Sequence, residues 1–267
     1  MTGSAHPPPG APLPDDLPAV AERAVRAAGE YLAGAFRDGA VAGDYGDDDV
    51  TTHADREAGR RVREVIAAAY PDHGVGGEDV DRWASTGDDP VEWLVDPLDG
   101  TNNFAAGIPS FASAVAVRHR AETVVAAVYE PLPDSLYLAV RGAGATVNGD
   151  PLAAATDRDL AHGTVSLAVG LDAVRDPALC AESEAIRDAL GDRCKRVVET
   201  WSPCVDWGLL ARGSLAGMIY VHPDPHDYHA GRLLAAESGV HARETDSLYV
   251  GSPDPGILAA LREAVDV

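Results

Sequence analysis

Asp96 and Asp99 stand three residues apart at the end of an apolar run, WLVDPLDGTNNF (93–104), and the chain then turns through Gly100 into Thr101, Asn102 and Asn103. Two further acids of the same half, Asp55 and Glu78, are spaced with them in a way that a solvated surface does not require. Crowded carboxylates repel one another unless protons or cations neutralise them. With no His or Cys beside Asp96 and Asp99, the donor set is oxygen alone, which suits Mg²⁺ or another hard cation. A loop at that point can also bring the Leu98 carbonyl toward the same centre. The backbone N–H groups of Gly100, Thr101 and Asn102 could then cradle a phosphate. Two plainer readings stay open on these residues alone, a solvated acidic loop and a calcium loop. The spacing of an EF-hand is absent.

These groups need elements to hold them. Leu17, Val20, Ala24, Ala28, Tyr31 and Phe36 recur at three- and four-residue steps and predict an amphipathic helix. GDYGDDD (43–49) reads as a polar loop. A second helix is predicted over about 54–70, with Pro71 just beyond it. GVGGED (74–79) reads as a Gly-rich turn, and VEWLVD (91–96) as a strand. Segments 111–119, 121–130 and 134–140 predict successive antiparallel strands, and RGAGATVNGDPL (141–152) a turn-rich stretch that could hold a hinge. Strands at 164–170 and 215–221 alternate with helices at 176–190, 202–212 and 228–239, an α/β pattern. The expected organisation is a Pro-rich mobile tail over 1–15, an α+β half over 16–150 that carries the acids, and an α/β half over 151–267.

Bulk composition bounds the function. The 267 residues are 46% hydrophobic and carry 43 acids against 21 bases, a net charge of −22. Such a chain is globular and repels nucleic acids and anionic membranes, so neither is an expected partner. Lys195 is the sole lysine and follows no glycine-rich turn, which excludes a P-loop. Cys180, Cys194 and Cys204 form no CxxC pair and read as reduced thiols of a cytoplasm. No signal peptide or membrane span is read. His222, His226 and His229 gather near Asp224 and Asp227 and could bind a transition metal, although Pro223 and Pro225 deny them the spacing of a zinc helix.

The nine residues DPLDGTNNF resemble the D-P-[LI]-D-G-T-x-N-F signature of the inositol monophosphatase family, Mg²⁺-dependent and lithium-sensitive phosphatases. VTTHAD (50–55) is similar to that family's V-T-x-x-D element, with Thr52 and Asp55 at its T and D. GGED (76–79) resembles its G-E-E element, with Asp79 at the second acid, and HDYHAGRLLAAESG (226–239) its late W-D-x-x-A-G…E-A-G element. RGAGATVNGDPL resembles the glycine-rich turn after the first sheet. The resemblance implies a layered αβαβα sugar-phosphatase fold, a homodimer, and two or three Mg²⁺ ions per site. Glu78, Asp96 and the Leu98 carbonyl would hold one ion, and Asp96, Asp99 and Asp227 a second. Thr101, oriented with Asp55, would position a water for in-line attack on phosphorus, with no phosphoenzyme. The activity implied is that of a phosphoric monoester hydrolase acting on a small polyol, sugar or cyclitol phosphate.

The pocket side departs from the family. His226 stands in place of a Trp, and Tyr220 in place of a substrate-binding Glu. Trp201-Ser202-Pro203-Cys204 stands where G-[ST]-A-A is usual. Trp201, Ser202, Tyr220 and His226 are therefore the expected substrate-facing residues, beside Gly100 and Thr101 for the phosphate. Histidinol phosphate and a 3′-phosphonucleotide are alternative substrates, and a catalytically silent metal-binding homologue is the alternative from another class.

Overall fold

In the computed structural model the described residues are 13–39, 43–45, 50–77 and 91–265. The tail expected over 1–15 lies outside them except for its last three residues, and Glu78 and Asp79 lie outside them altogether. Helix α1 (Leu17–Arg37) buries Leu17, Val20, Ala24 and Ala28 of the predicted stripe, with Leu32 beside them, while Tyr31 and Phe36 are half-buried against the same core. The short strands β1 (Gly43–Tyr45) and β2 (Val50–Thr52) pair antiparallel, so part of the expected polar loop is a strand. Helix α2 (His53–Ala69) follows directly.

The next seven strands form one sheet. They are β3 (Gly74–Gly77), β4 (Val91–Asp99), β5 (Ala112–His119), β6 (Glu122–Glu130), β7 (Ser135–Val140), β8 (Gly144–Val147) and β9 (Asp150–Leu152), hydrogen-bonded in chain order. The short helix α3 (Thr101–Ala106) lies between β4 and β5. All pairs are antiparallel except β3 with β4. Two expectations change here. GVGG is not a turn but an edge strand joined to β4 by its backbone, and 144–152 continues the sheet as two more strands.

The second half builds a smaller sheet. In chain order it runs β10 (Thr164–Val169), α4 (Leu171–Arg175), α5 (Pro177–Gly191), β11 (Arg196–Val198), α6 (Pro203–Ala211), β12 (Gly217–Val221), α7 (Pro225–Glu237), β13 (His241–Glu244), β14 (Leu248–Ser252) and α8 (Pro255–Ala264). The strand order is β11-β10-β12-β14-β13. Helix α7 starts at Pro225, three residues ahead of expectation. Asp224 caps it, its side chain accepting from the His226 N–H.

Side-chain burial fixes the layering. Helices α1 and α2 cover one face of the large sheet, packing on Trp93, Val95, Val115, Val117 and Val125. Its other face, through Ala114, Ala116, Val128 and Tyr137, meets Cys204 and Val205 of α6 and Ala230, Leu233 and Leu234 of α7. The opposite sides of those two helices, through Trp207, Leu210 and Ala235, meet Met218, Tyr220 and Tyr249 of the small sheet. The far face of that sheet packs on Ile186 and Leu190 of α5 and Ile257 and Leu261 of α8. The result is the expected αβαβα stack, with α6 and α7 buried on two sides. Close packing there requires Gly231, because a Cβ at that position would come within 2.1 Å of the Trp207 indole.

Candidate active site

Side chains alternate along a strand, so residues three apart point to opposite faces. Asp96 and Asp99 escape this because the β4–β5 register shifts between them: Asp96 pairs with Ala114 and Asp99 with Ala112. The phase of burial shows the same step. Trp93 and Val95 pack under α1 and α2, Leu94 packs on the opposite side, and beyond Pro97 it is Leu98 that joins Trp93 and Val95. The bulge therefore turns Asp99 onto the face that carries Asp96. Pro97 has no N–H to give the ladder, and its carbonyl accepts from the Ser113 hydroxyl at 2.8 Å.

Both carboxylates are buried, each 5% exposed, with ligand atoms of Asp96, Asp99 and Cys204 all within 4.8 Å of one another. Burial pushes Asp99 up to about 7, against the opposing pull of the Ser202 hydroxyl and the Cys204 N–H. Asp99 Oδ2 accepts from both, the Cys204 N–H at 2.9 Å. Burial, then the charges of Asp99, Asp227 and Asp96, hold the Cys204 thiol well above its ordinary range, as a neutral S–H. The donors left for a cation are carboxylate oxygens. A buried carboxylate such as Asp99, pushed toward neutral pH by burial beside a second buried acid, fits a hard divalent ion. Asp227, in the first turn of α7 and buried, faces the same cavity.

Asp55 does two jobs. Its Oδ2 accepts from the Thr52 N–H and hydroxyl, each at 2.6 Å, while Thr52 Oγ1 accepts from the N–H groups of Ala54 and Asp55, closing a capping box at the start of α2. Its Oδ1 faces the other way and lies 2.9 Å from the Thr101 hydroxyl, which is also 2.9 Å from the Leu98 carbonyl oxygen. That hydroxyl has one proton to give, so with it donated to either acceptor the oxygen keeps lone pairs for a donor in the cavity. Gly100, at φ +85°, makes the turn between Asp99 and Thr101, and a Cβ there would come within 2.9 Å of the Ser110 carbonyl oxygen.

Asp55, Asp96, Leu98, Asp99, Gly100, Thr101 and Asp227 thus border one cavity of about 410 Å³. The expected pocket residues divide. Trp201 lies on its wall, half exposed. Ser202 is fully buried and its hydroxyl is committed to Asp99. Tyr220 borders the cavity from β12, its ring packed in the Trp207 layer and its hydroxyl bonded to Asp227 at 2.8 Å. His226 is absent from the described cavity wall, because the early start of α7 sets its Nδ1 against Asp224 at 2.9 Å. Among the described residues His222, His226 and His229 do not converge as a metal cluster. Asp206, missed in the sequence, borders the cavity from α6 at 1% exposure, and burial pushes it up to about 7 against the pull of the Ser166 and Thr200 hydroxyls. Its one signal was an acid inside the apolar run PCVDWGLLA.

An αβαβα stack with buried carboxylates at the bulged end of β4 defines a phosphatase fold of the sugar-phosphatase type. The chain belongs to the inositol monophosphatase family, whose model matches residues 14–264. It is 35% identical to the Nus factor SuhB of Escherichia coli strain K12 over 222 residues, 82% of each chain. It is 32% identical to the Nus factor SuhB of Vibrio cholerae over the same shares. Among solved structures it is similar to the inositol monophosphatase of Anabaena, with a TM-score of 0.80 and 24% identity over 94% of this chain and 95% of that one. It is also similar to the extragenic suppressor protein suhB of Bartonella henselae, with a TM-score of 0.83 and 23% identity over 92% and 97%. No helix among the described residues is long and apolar enough to cross a membrane.

Proposed function

We propose that the protein is a Mg²⁺-dependent phosphomonoesterase acting on a small-molecule phosphate ester of the polyol, sugar or cyclitol class. The observation that carries this reading is the Thr101–Asp55 pair set against the buried Asp96–Asp99 cluster. Asp96, Asp99, Asp227 and the Leu98 carbonyl would hold the ions, with Glu78 from outside the described residues. Bound there, Mg²⁺ supplies a lowered pKa for water and neutralises charge on the phosphate oxygens. The chain does the rest. Asp55 fixes the Thr101 hydroxyl, whose lone pair receives a hydrogen bond from the attacking water and aligns it. The N–H groups of Gly100 and Thr101 hold a phosphate oxygen at the turn. Ser202 and the Cys204 N–H hold Asp99, and Tyr220 holds Asp227, so both carboxylates are set before a cation arrives.

The test is phosphate release from a panel of inositol, sugar, histidinol and nucleotide phosphates, with Mg²⁺ and with EDTA. Release that depends on Mg²⁺ and disappears in Asp99→Asn supports the reading, and activity retained in that variant would sink it. The relatives are named Nus factor SuhB and not as phosphatases, which favours a second reading, a catalytically silent homologue that binds metal. It predicts Mg²⁺ binding with no phosphate released from any member of the panel.

A further inference from the structure

Trp201 carries two costs that no fold-level role explains. Its φ is +56°, a left-handed conformation that bulky residues rarely adopt. Its side chain is also 50% exposed, one of only two large apolar side chains so exposed among the described residues. The backbone holds it there from both sides. The Thr200 carbonyl accepts from Asn103 Nδ2 at 2.7 Å, the Ser202 N–H donates to Thr200 Oγ1 at 3.2 Å, and the Ser202 hydroxyl is bound to Asp99. The indole is therefore presented to the cavity on a rigid mount tied directly to the carboxylate cluster. Strain maintained by such anchoring beside reactive groups marks a binding role.

The rest of the cavity has matching chemistry. Leu171 and Val174 of α4 give it an apolar wall. Arg187 and Glu199, also on the wall, form a two-point pair, Nε to Oε1 at 2.5 Å and Nη2 to Oε2 at 2.7 Å. This pair offers polar edges without net charge, and Arg175 adds a further polar group to the wall. A ring bearing only hydroxyls would lose hydrogen bonds against Leu171, Val174 and the indole. A flat unsaturated ring would stack on the indole face and meet the Arg187–Glu199 pair with its edge.

We infer that Trp201 is a stacking platform and that the alcohol half of the substrate is a sugar or polyol carrying a planar unsaturated ring. This rests on the phosphomonoesterase reading for the position of the phosphate, and deepens it by naming the leaving group's class. The experiment separates the two. Binding of adenosine and uridine is compared with ribose, and of phenyl β-glucoside with methyl β-glucoside, by calorimetry with Mg²⁺ and inorganic phosphate present. None of these probes carries a phosphate, so turnover does not enter. At least one ring-bearing probe should bind about tenfold tighter than its ring-free counterpart, an advantage lost in Trp201→Ala and kept in Trp201→Phe. No advantage for any pair, or one that survives Trp201→Ala, overturns the platform. Phosphate release from the adenosine monophosphates, ribose 5-phosphate and the wider panel is measured in parallel. Its complete absence would count against the phosphatase reading, whatever the binding result.

Discussion

The Tyr220 hydroxyl donates to Asp227 Oδ2 at 2.8 Å and accepts from the Asp224 N–H at 3.2 Å. The hydroxyl's one proton is spent on Asp227, at a residue 1% exposed. Tyr220 acts on chemistry through Asp227, by fixing which carboxylate oxygen is left to face the cavity.

Tyr220→Phe keeps the ring and removes only that bond. A hydrogen bond to a charged group is worth roughly 1.5–3 kcal/mol. Mg²⁺ affinity by calorimetry should fall by about tenfold or more, while circular dichroism stays native. Asp227→Asn should weaken Mg²⁺ at least as much. If Asp227→Asn weakens the metal and Tyr220→Phe does not, Tyr220 has no positioning role.

Asp55 joins helix capping to Thr101, and two substitutions separate these jobs. Asp55→Ala loses the capping box and should cost about 0.5–2 kcal/mol of stability as well as activity. Thr101→Ala leaves the box intact. It should lower kcat by about 10²-fold or more, with stability within about 1 kcal/mol of the parent, because only the water-aligning hydroxyl is lost. Urea unfolding beside phosphate release reads both, and equal stability losses in the two variants would contradict the division.

Asp206 sets a pH dependence. Burial raises it from an ordinary value of 3.8 to about 7. Between those values the folded chain binds a proton that the unfolded chain has released, so stability drains as pH rises and levels off above about 7. Asp206→Asn cannot release a proton. With EDTA present, the parent should lose more stability from pH 5 to pH 8 than the variant does, by on the order of 1–4 kcal/mol. Asp99 shifts in the same direction but is common to both proteins, so comparing the two slopes cancels it. Parallel slopes in urea unfolding would remove Asp206 from this role.

The acids of the cluster were legible because their types, their nearness and the following Gly100-Thr101 all point to one chemistry. The means of their convergence was not. Alternation along β4 sends Asp96 and Asp99 to opposite faces, and only the pairing with β5 reveals the extra residue at Pro97. The helices α1 and α2 were legible because each has one dry face; α6 was read over 202–212 even though it is buried on two sides and shows little period. Strand β3 hid because glycines carry no strand signal, and its partner lies in a segment well beyond it in sequence. Tyr220 and Ser202 do border the cavity, but the carboxylates their hydroxyls serve were not legible, because sequence order cannot show a hydroxyl's partner. Asp99 lies 103 residues from Ser202, yet it takes that hydroxyl.

Trp201 offers the last test, on stability alone. A left-handed backbone costs an L-residue roughly 1–2 kcal/mol, and glycine pays almost none of it. The anchors on Thr200 and Ser202 do not involve the indole, so Trp201→Gly should leave them in place. Glycine adds freedom to the unfolded chain, which takes back part of the gain. The net should still favour the variant, because a half-exposed indole contributes little burial to the core. The melting temperature of Trp201→Gly should equal or exceed the parent's by up to about 4 °C. A fall of several degrees would show that the indole stabilises the fold, and would dissolve the argument that its strain is kept for binding.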